Sequence, residues 1–421
     1  MIDELLVFRN DQLLGNISFV DNVPNNNFVF EYDDEFFRTK QSPLDGMSFR
    51  VGKAKQKIPS AELLFYLGSL LPDGQRRADL AHAIRTEQDN VGEMLYRLAG
   101  DCVGDLAFVP EAQMNNYQAR RTKYSSLPEE EFAFLLSSRE TLLFDVRERI
   151  SLFGAHNKTA LYKEPGNEVA TTSSWYKPSP FSPSNYIIKT PSRIRLLNIN
   201  EYVCTQLADA CDIEVPKTFL YGSEDPLLIS QRYDRHCSHG SVKRLHQEDI
   251  YQLTEARGFY ENSGGPGVNE VVDCLARYGT HSYADVRQFI QTFLYNYLIG
   301  NVDAHGRNFS ILVAHDGEVS FAPSYDLTAA NMYYTGGDMA MRFGKEYQEL
   351  NVTDDDFSIF CTQCTIEEKV VRKEFHRLVD DIASKSADVC AKAKSLCKNS
   401  FCDEMYEHLQ RQIEIKARRF L

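Results

Sequence analysis

The sequence has no long uninterrupted apolar stretch, and this absence argues against a transmembrane protein. A membrane-spanning helix needs about 20 predominantly apolar residues, and no segment of the chain comes near that length. The opening stretch, MIDELLVFRNDQLLG, is acidic from its third residue and alternates in polarity like a strand, so we expect no signal peptide. These features predict a cytoplasmic protein with no membrane partner.

Basic residues are in deficit. Lys and Arg number 46 against 60 Asp and Glu, which gives a net charge of -14. Binding to the phosphate backbone of nucleic acid depends on clustered Lys and Arg. Direct wrapping of DNA is therefore disfavoured, and any association with DNA is expected to run through a basic partner protein.

Closely spaced cysteine pairs are scarce. The chain has 10 cysteines and no expected export signal, a combination typical of reduced thiols. Cys361 and Cys364 in CTQC have the spacing of zinc ligands, but the later cysteines form no second such pair. We interpret the pair as thiols packed on helices, with a zinc site as the alternative.

The order of apolar patterns predicts an α+β chain in three parts. Two strand patterns open the chain, and helical spacing follows in PSAELLFYLGSLLPDG and GEMLYRLAG. The polar stretch 112–131 is interpreted as a linker, and the single tryptophan, Trp175, as the anchor of a mobile loop. Strands with one helix then precede a mainly helical region, so the predicted domains are 1–130, 131–248 and 249–421.

The stretch LIGNVDAHGRNFSI concentrates residues that can carry chemistry. It follows a helix pattern, with apolar residues at three- and four-residue steps from Val286 to Leu298, which Gly300 can end. Asp303 then lies in the loop directly after a rigid element, where a functional group is held in place. The loop is crowded with polar side chains, namely Asn301, Asp303, His305, Arg307 and Asn308.

A predicted hairpin returns a second aspartate to this loop. The dipeptide Asp-Gly at 316–317, between two apolar runs, indicates a two-residue type I′ turn. Along the resulting ladder, Asn308 is expected opposite Tyr325, beside Asp326. Asp303, five residues before Asn308, is then close to both.

These groups suit phosphoryl transfer. Mg²⁺ prefers oxygen ligands such as those of Asn308 and Asp326, and an attacking hydroxyl needs a carboxylate to accept its proton. An Asp followed five residues later by an Asn has the spacing of the protein-kinase catalytic loop. Because D-x-H-x-x-N is a short pattern, a polar surface loop that matches by chance is the alternative.

A phosphate loop and a lysine are predicted upstream. In ERISLFGAHNKTALY, Gly154 and Ala155 lie between strand-like flanks, so backbone N–H groups can approach phosphates. Lys189 ends an apolar strand in NYIIKTP, as expected of a lysine that reaches the α- and β-phosphates. Glu201, in the first turn of a helix capped by Asn200, either pairs with this lysine or favours the helix dipole.

Several of these stretches occur together in a known order: SLFGAHNKTAL, NYIIKTP, NEY, YDR, HQED, GGPG, LIGNVDAHGRNFSI and YDL. In this order the chain resembles HipA-type serine/threonine protein kinases, the toxins of bacterial toxin–antitoxin pairs. With LLPDG and VGDLAFVPE, the resemblance covers essentially the whole chain. It implies an α+β, two-lobed protein-kinase-like fold with a small N-terminal α/β subdomain and a mainly helical C-terminal lobe.

The resemblance also implies roles for individual residues. Asp303 would be the catalytic base, and Asn308 and Asp326 the ligands of Mg²⁺. Ser151 matches the serine that the family autophosphorylates, which ejects the loop and silences the kinase. Gln231, Arg232 and Tyr233 would form the adenine-side hinge. The remaining residues of the ATP site would be Phe153, Gly154, Ala155, His156, Asn157, Lys158, Lys189, His305, Arg307, Asn308, Tyr325 and Asp326.

The chain departs from the family at His156, where Gln is usual. Because such a loop works largely through its backbone, we expect activity to survive this change.

The implied partners are a small basic helix-turn-helix antitoxin, similar to HipB, and a host protein substrate such as an aminoacyl-tRNA synthetase. DNA would be contacted only through the antitoxin. Two other functions stay open: a kinase-like scaffold that acts as co-repressor with the antitoxin, and a small-molecule phosphotransferase.

Overall fold

The computed structural model describes residues 4–39, 46–50, 55–120, 122–135, 138–154, 156–238, 241–334 and 336–420. They divide into two compact units. Unit 1 comprises Met1–Thr190 and Asp234–Glu248, and unit 2 comprises Pro191–Tyr233 and Asp249–Leu421. The chain thus leaves unit 1 and later returns to it. The three predicted domains are consecutive segments and do not include such a return. The predicted boundaries after residues 130 and 248 stay predictions.

Strands and helices alternate along the first two thirds of the chain, and helices dominate thereafter. The strands are β1 (Leu5–Arg9), β2 (Gln12–Phe19), β3 (Phe28–Tyr32), β4 (Lys57–Pro59), β5 (Leu106–Pro110), β6 (Tyr124–Leu127), β7 (Lys158–Lys163), β8 (Trp175–Pro178), β9 (Tyr186–Lys189), β10 (Thr218–Tyr221), β11 (Leu227–Gln231), β12 (Arg235–Ser238), β13 (Ser241–Arg244), β14 (Gln247–Asp249), β15 (Ser310–Val313) and β16 (Val319–Phe321). The helices are α1 (Asp34–Thr39), α2 (Leu64–Ser69), α3 (Gly74–Ala83), α4 (Val91–Leu98), α5 (Met114–Arg120), α6 (Glu129–Leu135), α7 (Ser138–Glu148), α8 (Leu197–Ala210), α9 (Ile250–Thr254), α10 (Val268–Tyr278), α11 (Ser282–Ile299), α12 (Asp354–Gln363), α13 (Glu368–Cys397) and α14 (Phe401–Ala417).

An antiparallel sheet opens unit 1, as the two strand patterns predicted. Its strand order is β4-β3-β2-β1-β5. Residues of β3 alternate between buried and half-buried, so Phe28, Phe30 and Tyr32 face one core. The helices α2 and α4 cover the same core with side chains such as Leu67 and Leu95, which are fully buried.

The predicted linker at 112–131 is wrong, because these residues form α5, β6 and the start of α6. Their polar composition hid two apolar side chains, Tyr117 and Leu127, which are almost completely buried. The expected mobile loop around Trp175 is wrong for a related reason. Trp175 lies in β8, which pairs with β6, and its buried ring stacks on Phe132 with centroids 5.8 Å apart.

A second antiparallel sheet carries part of the predicted phosphate site within unit 1. There, β6, β8, β7 and β9 are consecutive neighbours. Lys158 at the start of β7 pairs with Lys189 at the end of β9. The loop before β7 and the lysine that ends β9 therefore lie at the same end of the sheet.

Unit 2 is mainly helical. Helix α13 spans 30 residues and packs against α14 and α8. Aromatic side chains line α11, and Phe293 stacks on Phe360 of α12 with ring centroids 4.7 Å apart. The predicted hairpin is present as β15 and β16. No helix within the described ranges is long and apolar enough to cross a membrane.

Cys361 and Cys364 lie buried at the C-terminal end of α12. Burial raises the pKa of the Cys361 thiol to about 12 and also raises that of Cys364. Across the part of the chain that the structure describes, no three His, Cys, Asp or Glu side chains are grouped as metal ligands would be.

Candidate active site

The loop that carries Asp303 begins at Gly300, at the end of α11. Gly300 has a φ of 81°, a conformation that favours glycine. A Cβ atom at this position would lie 2.2 Å from the Asn331 side chain. The predicted helix end is therefore confirmed. Asn301 is then tied back to the helix, because its backbone N–H and its side-chain amide both donate to Asn296 at 2.8 Å.

Backbone hydrogen bonds fix Asp303 on both sides. Its N–H donates to the side-chain oxygen of Asn301 at 3.3 Å, and its carbonyl accepts the N–H of His305 at 2.8 Å. One residue earlier, the carbonyl of Val302 accepts the N–H of Ala340 at 2.8 Å. The carboxylate is thus presented from a loop whose main chain is held in place.

Three titratable groups surround the Asp303 carboxylate. The hydroxyl of Tyr260 donates a hydrogen bond to its Oδ1. Burial raises the pKa of the Asp303 carboxyl and the charge of Asp326 adds to this rise, whereas His305 and the Tyr260 hydrogen bond lower it. Asp303 and Asp326 therefore lie within electrostatic reach of each other.

His305 is a buried imidazole beside the aspartate. Burial lowers its pKa, against the opposing effect of nearby carboxylates, which favours the neutral form of the ring. Its Nδ1 accepts the N–H of Arg307 at 3.3 Å, which leaves the ring proton on Nε2. The imidazole packs against Phe259 and Tyr260 at centroid distances of 5.5 and 5.8 Å.

Arg307 supports the loop from a buried position. Its Nε donates to Asp249 Oδ2 at 3.1 Å, and both side chains are almost completely buried. The guanidinium also lies over the rings of Tyr251 and Phe259, 5.6 and 5.7 Å from their centroids. These contacts anchor the loop through Arg307. Its predicted contact with ATP stays a prediction.

The hairpin after this loop has a different turn from the predicted one. The N–H of Ala314 donates to the carbonyl of Glu318 at 2.8 Å, which leaves the three residues 315–317 as the loop. Gly317 has a φ of 90°, as expected of the left-handed residue that follows a type I turn in three-residue loops. The two-residue turn was wrong because Asp-Gly also fits the last two positions of this longer loop.

Tyr325 and Asp326 nevertheless return to the loop that carries Asp303. The hydroxyl of Tyr325 donates to the Arg307 carbonyl at 2.5 Å and lies 2.7 Å from Ser310 Oγ. Asp326 has a φ of 57°, a left-handed conformation that costs about 1–3 kcal/mol and clusters at functional sites. Asn308 is buried one residue after Arg307, with its N–H on the carbonyl of His305 at 2.8 Å.

The predicted phosphate loop lies in unit 1, directly before β7. Ser151 is fully buried, and its hydroxyl donates to the Leu70 carbonyl at 2.9 Å. Gly154 has a φ of 94°, and a Cβ atom there would lie 2.6 Å from Lys158 Nζ. Phe153, His156 and Asn157 are also described, whereas Ala155 lies outside the described residues.

The predicted adenine-side residues lie in unit 2. Gln231 ends β11, and its N–H donates to the Lys217 carbonyl at 2.8 Å. Arg232 is buried. The ring of Tyr233 stacks on Tyr325 with centroids 5.3 Å apart, so it is linked through that tyrosine to the loop that carries Asp303. The role of these residues as a nucleotide hinge stays a prediction.

The predicted helix position of Glu201 is wrong. Helix α8 begins at Leu197, so Glu201 lies in the second turn and Asn200 lies inside the helix. The Asn200 side chain instead accepts the N–H of Ala329 at 2.8 Å, which holds the segment after Asp326 on α8. Attraction to the helix dipole falls off beyond the first turn and does not explain Glu201. Its pairing with Lys189 stays a prediction.

Sequence reasoning missed two residues of the site, Tyr260 and Asp249. Tyr260 precedes the GGPG motif, and the N–H of Gly265 donates to its carbonyl at 2.8 Å. A Cβ atom at Gly265 would lie 2.5 Å from the Phe259 carbonyl oxygen. This tight glycine turn beside two aromatics was the available signal. Asp249 belongs to HQED, which carried the resemblance without an assigned role.

Comparisons with known proteins show what this chain is similar to. Two family models match, the HipA-like C-terminal domain over residues 150–388 and the HipA N-terminal domain over residues 5–109. A Sinorhizobium fredii protein named “Putative kinase Y4mE” is 29% identical over 354 residues, which cover 82% of each chain. The serine/threonine-protein kinase toxin HipA of Shewanella oneidensis is 25% identical over 346 residues, 77% of this chain and 74% of that one.

A solved structure extends the match to the fold. It is the complex of HipA, HipB and operator DNA from Shewanella oneidensis, and its similar chain aligns with a TM-score of 0.77 at 19% identity, over 99% of this chain and 98% of that one. The protein therefore has the two-lobed α+β fold of the kinase-like class, as predicted. Because the C-terminal family model matches more than half of its length, the chain belongs to the HipA family of kinase-like toxins.

Proposed function

We propose that the protein is an ATP- and Mg²⁺-dependent serine/threonine protein kinase and the toxin of a toxin–antitoxin pair. The observation that carries this proposal is the placement of Asp303, which lies within electrostatic reach of His305 and Asp326 on a loop fixed by backbone bonds. A carboxylate held in this way can accept the proton of an attacking hydroxyl. Its raised pKa makes it a stronger proton acceptor than an exposed aspartate.

The other residues divide the remaining work. Asn308 and Asp326 offer the amide and carboxylate oxygens that suit Mg²⁺, which when bound would neutralise charge on the transferred phosphoryl group. The backbone of the phosphate loop and Lys189 would hold the phosphates of ATP. Gln231–Tyr233 would contact the adenine side of the nucleotide.

We propose Ser151 as the autophosphorylation site that silences the enzyme. Its side chain is fully buried, and its hydroxyl donates to the Leu70 carbonyl. A phosphate adds about 1.5 to 2 negative charges and replaces the donor hydroxyl. The buried position cannot hold such a group, so the phosphorylated loop must leave its place beside the nucleotide.

The proposed partners are a small HipB-like helix-turn-helix antitoxin and a protein substrate such as an aminoacyl-tRNA synthetase. The Shewanella oneidensis relative was solved with HipB and operator DNA, and the net charge of -14 suits a basic partner. DNA would be reached through the antitoxin alone.

Labelled ATP tests the kinase proposal through Asp303→Asn. This change keeps the size of the side chain but removes the proton acceptor, so we expect phosphate transfer to protein to fall at least ~100-fold. Wild type should label Ser151, and Ser151→Ala should lose that label. A wild-type rate in Asp303→Asn would remove this carboxylate from the mechanism.

The same incubation separates the two other functions. A scaffold that acts only as co-repressor would transfer no phosphate to any acceptor. A small-molecule phosphotransferase would label a metabolite in a cell extract and leave every protein unlabelled.

A further inference from the structure

One segment of the N-terminal part, Leu70–Arg76, contacts the phosphate loop at several points. We call this segment, LLPDGQR, the brace. All of the residues involved belong to unit 1. The contacts are Ser151 Oγ to the Leu70 carbonyl at 2.9 Å, the Gly154 N–H to Asp73 Oδ2 at 2.9 Å, Arg76 Nη1 to Asn157 Oδ1 at 2.6 Å and Arg76 Nη2 to the Lys158 carbonyl at 2.5 Å.

The Asp73 side chain accepts a hydrogen bond from the phosphate loop and caps no N–H of its own helix, α3. It occupies the N-cap position of α3, where an Asp side chain usually accepts a hydrogen bond from the first turn. The Asp73 side chain makes no such capping bond. Its Oδ2 accepts the N–H of Gly154 instead, and a bond to a carboxylate is stronger than one between neutral groups.

Arg76 connects the end of the loop to a buried acid. Its guanidinium is buried and forms an ion pair with Asp145 of α7. Asp145 also accepts the hydroxyl of Thr159 in β7 at 2.6 Å. Burial raises the pKa of Asp145 to about 7, against the lowering effect of Arg76. The Arg76 guanidinium therefore fixes the carbonyl of Lys158 and the side chain of Asn157, and Asp145 in turn holds the guanidinium in place.

We propose that the brace holds the phosphate loop in its folded geometry and that Asp73 and Arg76 are positioning residues for nucleotide binding. A glycine-containing loop that is already ordered loses less conformational entropy when it binds a ligand. Phosphorylation of Ser151 removes the hydroxyl that bonds Leu70, so it breaks the first brace contact. The inference rests on the proposed function only where it assigns residues 151–158 to phosphate binding.

Hydrogen exchange of the free protein tests the brace without any nucleotide. Asp73→Ala removes the acceptor for Gly154, and we expect amide exchange in the peptide that carries the loop to rise about tenfold or more, as the loss of a charge-assisted hydrogen bond implies. Asp73→Asn keeps an oxygen acceptor without the charge and should lie between wild type and Asp73→Ala. Asp79→Ala changes an exposed residue of the same helix and should leave loop exchange unchanged.

Affinity for ATP with Mg²⁺ gives the second measurement. We expect the Kd of Asp73→Ala to rise about tenfold while its melting temperature stays near that of Asp79→Ala. Unchanged loop exchange in both Asp73 variants would overturn the inference. So would tighter ATP binding by Asp73→Ala, which would mean that the carboxylate competes with phosphate. If wild type binds no ATP, the proposed function fails, while the exchange comparison still decides whether the brace orders the loop.

Discussion

At the scale of single residues, one hydroxyl tunes the proposed catalytic base. The Tyr260 hydrogen bond lowers the pKa of Asp303, which burial raises. Tyr260→Phe removes this bond, so the pKa of Asp303 should rise further. Because the base acts as a carboxylate, activity should be lost at a higher pH than in wild type as the solution is acidified.

Initial rates of Ser151 autophosphorylation across the acidic and neutral range measure this shift. Tyr283→Phe is the matched control, because Tyr283 is exposed at the start of α11. An acid limb that stays in place in Tyr260→Phe, or moves to lower pH, would show that the hydrogen bond does not act on the base.

Part of the candidate site could be predicted from residue types and their spacing within one short stretch of sequence. Asp303 and Asn308 lie within one loop, so their spacing was visible. Tyr260 is 43 residues from its partner Asp303, and Asp249 is 58 residues from Arg307. Only tertiary folding brings such pairs together, and no local pattern encodes them.

At the scale of elements, two glycines with left-handed backbone conformations allow the cost of backbone strain to be measured separately from the cost of a steric clash. Gly300 and Gly317 have φ values of 81° and 90°. A Cβ atom at Gly317 meets nothing within 4 Å, whereas one at Gly300 would collide with the Asn331 side chain, which donates to Glu349 at 2.8 Å. Gly317→Ala should therefore lower the free energy of unfolding by ~1 kcal/mol, and Gly300→Ala by roughly 2–3 kcal/mol.

Denaturant unfolding of the full chain measures both losses, with Gly317→Ala as the control for strain alone. Gly300→Ala should also reduce phosphate transfer more than Gly317→Ala, since Gly300 starts the loop of Asp303. Equal losses of stability in the two variants would contradict the packing argument.

Element boundaries were predictable where a local signal marks them. Alternating apolar residues predicted the segments that form β1, β2 and β3, and Gly300 gave the end of α11. The start of α8 was misplaced at Asn200 because the true N-cap, Leu196, has a φ of 53° and no capping side chain. A helix that begins without a polar cap offers no sequence mark, and the first polar residues inside it were mistaken for one.

At the scale of the whole molecule, the discontinuous unit 1 could not be deduced from the sequence. Its second segment, Asp234–Glu248, returns with Arg235 and Arg244, which bind the buried carboxylate of Asp101 at 3.0 and 3.1 Å. Removing either arginine would leave the buried charge of Asp101 without one of its two arginine partners, which is costly. These ion pairs therefore hold the segment in unit 1. Composition reveals the charges but not which distant partner each one meets.

The net charge of -14 leads to a prediction for the proposed antitoxin. Attraction between this acidic chain and a basic partner should speed their encounter, and salt screens such attraction. We expect the association rate constant to fall about tenfold or more between low and high ionic strength, with a smaller change in the dissociation rate constant. Stopped-flow mixing of the antitoxin with Asp303→Asn, which is expected to be non-toxic and keeps the surface otherwise intact, measures both.

The chain alone should not bind operator DNA at physiological salt, because it lacks the positive charge that releases counterions. An association rate insensitive to salt, or operator binding without the antitoxin, would refute this account of how the protein reaches DNA.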